Sequence, residues 1–440
     1  MKCDTCREML TAYLKAGLEA AQEAEVEEHL ATCAECTKEC EGVRQVLAQL
    51  DAASDDSILA ITSRTIEDAF RRRASDIHIR AGKIFFRIDG VMQEVAHLPE
   101  DLTPFVIARF KLLGGLNVTT RDVPQDGRFI TEIDGKQLDL RISAVPTATG
   151  ESLVARILDR AVVCLTLDDV YFVGEQRAQL DDLLHRPNGL IVVTGPTGSG
   201  KTTTLYAILH ELNKPPVHCM SVEDPVEYLI EGVTQVPVNR RAGVDFRTAM
   251  RSIMRQDPDV ILCGEIRDRE TAELCCQAAL TGHLVLTTLH TNDAIKAIRR
   301  LLDIGIPRFV ISSSLLGATA QRLLRRVCAD CREEYVPDEA ELAWLREAGV
   351  ADVPEKLWRG KGCEMCRHTG YRGRLAVYEI FTMDQEVLTA MAVKEAPLDE
   401  VEKLAASKVK SLKQAALEKV LAGDVPVAEA MRTLMFLPEY

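Results

Sequence analysis

Two kinds of chemistry are written into this chain: phosphate binding and thiolate–metal coordination. Gly195-Pro-Thr-Gly-Ser-Gly-Lys-Thr202 has the order G-x-x-x-x-G-K-T. Glycines 195, 198 and 200 let successive backbone N–H groups turn inward, and the opening turn of a following helix adds more unpaired donors. The expected nucleotide-binding set is Gly195, Pro196, Thr197, Gly198, Ser199, Gly200, Lys201, Thr202 and Thr203. Lys201 is placed to reach the β- and γ-phosphates, and Thr202 to offer its hydroxyl to Mg²⁺. ATP and Mg²⁺ are therefore expected ligands.

Candidate catalytic groups lie downstream. Glu223 closes the apolar run Val217–Val222, within Glu223-Asp-Pro-Val-Glu227. Glu265 follows Val260-Ile-Leu-Cys-Gly264, about sixty residues after the glycine-rich loop, which is a Walker B pattern. An acid at the carboxyl end of such a strand stands on the ligand side of an open sheet. His283 and His290 flank Leu284–Leu289, and a histidine beside a triphosphate can sense the γ-phosphate. Arg128 and Arg141 lie in strand-like runs near the front of the chain. Turned toward a neighbour's phosphates, they would act as arginine fingers.

The thiols fall into two sets. Cys328-x-x-Cys331 and Cys363-x-x-Cys366 are two pairs separated by 31 residues, the spacing of a structural four-thiolate zinc site. At the N-terminus, His29 and Cys33 are four apart on one helix face, and Cys33-x-x-Cys36 is a zinc half-site. One more thiolate closes that tetrahedron, with Cys3, Cys6 and Cys40 in competition. Cysteines 164, 219, 263, 275 and 276 are isolated or within apolar runs and read as core residues.

These groups need elements to position them. The chain has 440 residues, too many for one core. Residues 1–50 read as a small helical metal-binding module and 51–57 as a linker. Residues 58–160 read as an α/β domain with antiparallel strands, and 161–175 as a connector. The rest alternates strands and helices in the manner of a parallel, doubly wound sheet. The tail reads as helices over 398–412, 414–421 and 426–434. No run of about 18 apolar residues spans a bilayer, and the start has no apolar signal segment. The chain is expected in the cytoplasm, with reduced thiols. A net charge of −14 and 5% aromatics speak against a nucleic-acid partner.

Taken together, the blocks of residues 58–440 resemble the secretion ATPases that assemble type IV pili and type II secretion pseudopili. Ala74-Ser-Asp-Ile-His-Ile79, Pro124-Gln-Asp-Gly-Arg128 and the glycine-rich loop match. So do Val222-Glu-Asp-Pro-Val-Glu227, Arg255 through Asp268, and Thr281 through Asn292. The tetracysteine insert resembles the assembly branch. Residues 1–50 resemble the zinc-finger module of many anti-sigma factors, and alignment on Tyr13-Leu14 favours Cys3 as fourth ligand to His29, Cys33 and Cys36. The resemblance implies a RecA-like P-loop NTPase domain with a parallel sheet. It also implies a smaller PAS-like α/β domain before it and the helical finger at the front. By position, Glu223 would activate water, Glu265 hold the Mg²⁺ shell, and His283 and His290 read the γ-phosphate. Arg128 and Arg141 would close from the N-terminal domain. The implied assembly is a homo-hexamer. Its implied partners are a polytopic inner-membrane platform protein and a cytoplasmic linker protein. The finger replaces the longer docking domain of the assembly branch.

Overall fold

In a computed structural model of the chain, the described residues are 1, 3–14, 18–38, 40–41, 43–44, 56–159, 166–350, 352–392 and 397–434. Most of the expected linker 51–57, part of the 161–175 connector, and Cys164 lie outside them. The chain divides into two compact units, Met1–Val163 and Cys164–Tyr440.

The first unit opens with α1 (Cys3–Leu14) and α2 (Ala20–Thr32). Helix α3 (Asp56–Arg71) follows, and it buries Ile58, Thr62, Ile66 and Ala69 along one stripe, three or four residues apart. The six strands are β1 (Ala74–Arg80), β2 (Lys83–Ile88), β3 (Val91–His97), β4 (Gln125–Ile133), β5 (Lys136–Thr147) and β6 (Gly150–Asp159), with α4 (Thr103–Leu113) between β3 and β4. They form one antiparallel sheet in the order β3-β2-β1-β6-β5-β4. Tight turns join β1-β2-β3 and β4-β5-β6, and the pairing of β1 with β6 brings the two halves together across the sequence. Asp89 and Gly90 have positive φ between β2 and β3, as the Asp-Gly pair predicts.

The second unit carries a seven-stranded sheet, in the order β15 (Tyr371–Thr382), β12 (Leu315–Val327), β7 (Gly189–Thr194), β11 (Leu284–Leu289), β10 (Val260–Cys263), β8 (Cys219–Glu223) and β9 (Thr234–Pro237). Its central members are β7 (Gly189–Thr194), β8 (Cys219–Glu223), β10 (Val260–Cys263) and β11 (Leu284–Leu289), every residue of which is buried. All four run parallel. Successive side chains enter opposite layers: Leu190 and Val192 join one core, Ile191 and Val193 the other. Burial on both faces is why these strands read as unbroken apolar runs. Helices α5 (Gly174–Leu184), α6 (Lys201–Leu212), α7 (Phe246–Ile253), α8 (Arg269–Leu280) and α9 (Lys296–Ile304) lie between strands in sequence. Cysteines 219, 263, 275 and 276 are buried core residues.

Several elements differ from the sequence expectation. Short β9 (Thr234–Pro237) extends the sheet beyond β8 in parallel. Long strands β12 (Leu315–Val327) and β15 (Tyr371–Thr382) pair antiparallel and bracket the cysteine insert. The helix expected over 398–412 stops at Ala406 as α10 (Leu398–Ala406), and a new helix α11 (Leu412–Leu421) follows. The cause is local: Ser411 Oγ accepts from Gln414 N while Gln414 Oε1 accepts from Ser411 N, a capping box that starts a helix there. Helix α12 (Val427–Leu434) ends the described chain. Among the described residues no helix is long and apolar enough to cross a membrane.

His78 in β1 shows what the first sheet costs. Its Nε2 is buried without a hydrogen-bond partner, and burial holds the imidazole pKa below the ordinary value. The unfolded chain then binds the extra proton more readily, so stability falls as pH drops below about 6.5. Denaturant unfolding of the full chain at pH 7.5 and 5.5 should show this loss, and His78→Leu should flatten it.

Candidate functional site

The parallel register sets the site. Thr194 at the end of β7 pairs with Leu289 at the end of β11, while Cys263 pairs with Val222 on one side and Thr287 on the other. The carboxyl ends therefore come level, and the loops leaving them share one edge. A cavity of ≈ 400 Å³ opens there. Its walls include Thr197, Gly198, Gly200, Lys201, Thr202 and Thr203, with Glu223, Glu265 and His290 opposite.

The loop 195–200 is pressed onto β12. A Cβ at Gly195 would lie 2.6 Å from Ser199 Oγ and 2.7 Å from the Gln321 carbonyl, and one at Gly200 would lie 2.8 Å from Gln321 Nε2. Both residues also have positive φ, so glycine is required twice over. Ser199 Oγ is buried without a partner inside this cradle. These features fit a polyphosphate, whose oxygens would take the inward-facing donors. Lys201 Nζ is folded onto the carbonyls of Gly195 (2.9 Å) and Pro196 (3.0 Å). Burial pulls its pKa down from the ordinary lysine value, and the Glu265 carboxylate opposes that shift.

Glu223 is buried at the cavity wall. Ser221 Oγ (2.6 Å) and Gln235 Nε2 (3.1 Å) donate to Oε1, and the Tyr206 hydroxyl donates to Oε2. Three donors use three of its roughly four acceptor positions, leaving room for one more hydrogen bond. Glu265 is ion-paired with Arg267, and His290 Nε2 stands 3.9 Å from its other oxygen. Burial, reinforced by Lys201, holds the His290 pKa below the ordinary value. Tyr206, Gln235 and Arg267 escaped the sequence reading. Gln235 lies on a strand whose place beside β8 only the sheet reveals.

His283 stands apart from these groups. It precedes β11, whose far end carries His290, and its Nδ1 contacts the Ala278 carbonyl at 2.9 Å. Six strand residues separate the two histidines, roughly 20 Å of extended chain. His283 does not line the cavity. Arg128 and Arg141 belong to the first unit and are cross-strand partners on β4 and β5. Arg128 is clamped by Asp139 through two hydrogen bonds, Nε–Oδ1 being 2.7 Å.

Both predicted metal sets converge. The sulfurs of Cys328 and Cys363 lie 4.0 Å apart, those of Cys331 and Cys366 3.7 Å, and those of Cys363 and Cys366 3.7 Å. A tetrahedron of Zn–S bonds near 2.3 Å has edges of about 3.8 Å, so the four thiols fit zinc. Backbone N–H groups of Gly362, Cys363 and Gly370 point at Sγ atoms (3.1–3.3 Å). Burial raises the Cys366 pKa, but hydrogen bonds from the Cys363 and Gly370 backbone and from the Cys363 and Cys331 thiols together bring it down to about 6. At the N-terminus Cys3, His29, Cys33 and Cys36 gather with ligand atoms within 4.8 Å, and Cys3 and Cys33 sulfurs are 3.8 Å apart. Cys6 and Cys40 are buried outside this group. His29 Nε2 is buried without a hydrogen-bond partner, a cost that a metal bond would remove.

A parallel sheet with a phosphate loop after β7 and acids at neighbouring strand ends defines a RecA-like P-loop nucleoside triphosphatase. Residues 51–432 match the family model "Type II/IV secretion system protein", and residues 3–37 match one described as "Putative zinc-finger". The chain belongs to the Type II/IV secretion system protein family and is an ATPase of that family. It is 43% identical over 387 residues to type II secretion system protein E of Dickeya dadantii, covering 87% of this chain and 77% of that one. It is 42% identical over 387 residues to the Pseudomonas aeruginosa protein of the same name, covering 87% and 76%. Among solved structures, the pilus retraction motor PilT with bound ADP aligns with TM-score 0.56 and 28% identity, over 83% of this chain and 95% of PilT. The Legionella pneumophila ATPase DotB aligns with TM-score 0.65 and 22% identity, over 85% and 95%, a likeness of fold.

Two outcomes follow from the geometry. Gly195→Ala should weaken nucleotide binding by at least about tenfold, near 1.4 kcal/mol, measured by fluorescent-nucleotide titration. Native mass spectrometry should find two zinc ions per chain, and Cys366→Ser should remove one while leaving the other.

Proposed function

We propose that this chain is the ATP-hydrolysing motor of a type II secretion pseudopilus or type IV pilus, working as a homo-hexamer on the cytoplasmic side of the inner membrane. The observation that carries this is the convergence of Lys201, Glu223, Glu265 and His290 on one cavity in a secretion-family chain.

In this reading the cradle binds the β- and γ-phosphates, with Lys201 leaving the loop carbonyls to meet them. Thr202 and Glu265 would hold Mg²⁺, which would neutralise developing phosphate charge. Glu223, its orientation fixed by three donors, uses its remaining acceptor position to orient the attacking water. His290 reads the γ-phosphate. Arg128 and Arg141 supply arginine fingers from the first unit, and their cross-strand pairing on β4 and β5 places the two side by side for that task. Attachment to the membrane is through a platform protein and a linker protein. The two zinc sites staple the insert and the N-terminal module, and the module binds a partner.

Hydrolysis by the full chain should fall at least about 100-fold in a Lys201→Ala plus Glu265→Gln variant. Undiminished turnover would sink the reading. Arg128→Ala or Arg141→Ala should also lower kcat by roughly 100-fold or more, while nucleotide still protects the loop at 195–202.

A further inference from the structure

The segment after His290 is held from three directions. Thr194 Oγ1, at the end of β7, accepts from Thr291 N at 2.8 Å, and the two threonine hydroxyls are 2.7 Å apart. Arg322 Nη2, from β12 and buried, donates to the Asn292 carbonyl at 2.9 Å. Glu379 Oε1, from β15, accepts from Ala294 N at 2.8 Å. One anchor thus comes from the strand that carries the phosphate loop and two from the strands beyond it.

Glu379 has a second contact that reaches beyond these strands to a C-terminal helix. Its Oε2 accepts from Leu412 N at 3.2 Å, the first residue of α11. The side chain is 2% exposed, so water does not compete for either oxygen. One buried carboxylate therefore ties the loop leaving the nucleotide cavity to the first turn of a C-terminal helix. A buried carboxyl group needs its acceptor positions satisfied, and here the two donors come from two separate elements. The following helix adds a parallel link. Arg299 of α9 donates to Glu402 of α10 at 2.8 Å through both Nε and Nη2, and to Asp399 at 2.5 Å. Segment 291–304 is thus joined to the C-terminal helices at its beginning and near its middle.

We propose that Glu379 is a positioning residue that passes the nucleotide state of the His290 loop to the C-terminal helices, with Arg299 as the second link. A displacement of the loop at Ala294 bears on the Glu379–Leu412 bond, because both oxygens of one buried carboxyl group are engaged. The helices over 398–434 are then the output side of the nucleotide cavity. The inference rests on the cavity taking a triphosphate, as proposed above.

Amide hydrogen exchange on the full chain tests it, with ADP and with a non-hydrolysable ATP analogue as probes. In the native protein, exchange should differ between the two nucleotides at 286–294 and also at 412–416. Glu379→Gln keeps the shape but replaces one acceptor oxygen with a donor, so it cannot serve both N–H groups. Glu379→Asp keeps the carboxyl group but is one methylene shorter. Each variant should keep the difference at 286–294, lose it at 412–416, and still bind nucleotide with Kd within about threefold. A nucleotide effect that persists at 412–416 in both variants overturns the proposal. So does native protein with no nucleotide effect at 412–416, a result that stands even if the variants fail to fold. Loss of the difference at both places marks damage to the cavity itself and also counts against a joint. Failure of nucleotide to protect residues 195–202 would instead fell the underlying triphosphate reading.

Discussion

Four parallel strands, β8, β10, β11 and β7, end level with one another, and the chemistry of the second unit depends on that register. A parallel pair cannot be joined by a tight turn, so each strand is reached through a long crossover. Residues far apart in the chain thereby meet at one edge. Thr194, Glu223, Glu265 and His290 each stand at or just past a strand's carboxyl end. A one-residue slip in any pairing would turn a strand's buried side chains to the opposite layer. Complete burial of these strands on both faces makes such a slip costly.

The same packing braces the phosphate cradle from below. The 195–200 loop rests on Gln321, and Thr204 of α6 donates to the Gln321 amide oxygen at 2.8 Å. Tyr206 of the same helix reaches Glu223. One helix thus fixes both the phosphate loop and a carboxylate on the neighbouring strand. The charged groups pair in ways that ligand binding can reverse: Lys201 rests on loop carbonyls and Glu265 on Arg267. Preorganised donors with exchangeable partners suit a site that must bind and release phosphate.

The two thiol clusters are suited to a different job. The insert between β12 and β15 holds the short pair β13 (Arg332–Tyr335) and β14 (Leu357–Gly360). Gly360 and Gly370 approach so closely that a Cβ on either would strike the other's backbone. A two-stranded ribbon is marginal alone, and a metal ion held by the four thiols at zinc spacing would supply the missing constraint. The N-terminal group works under the same limit, since about fifty residues bury too little to be stable unaided.

The motifs were legible because their physics is local. Three glycines before Lys201 curl a backbone whatever surrounds them, a buried parallel strand must be apolar throughout, and C-x-x-C places two sulfurs on one knuckle. The level register of the strand ends was only implied. Tyr206 and Gln235 as partners of Glu223, the retreat of His283 to the far end of β11, and the break at Ser411 were decided by tertiary structure or by side-chain capping. The sequence by itself determined the kind of site, its phosphate loop, its acids and its thiolates, since these follow from residue type and short spacing. Only the tertiary structure decided which groups share a cavity and which carboxylate joins that cavity's loop to the C-terminal helices. Contacts such as Glu379 with Ala294 and Leu412 span 85 and 33 residues, and strand order, which no local pattern encodes, brings them together.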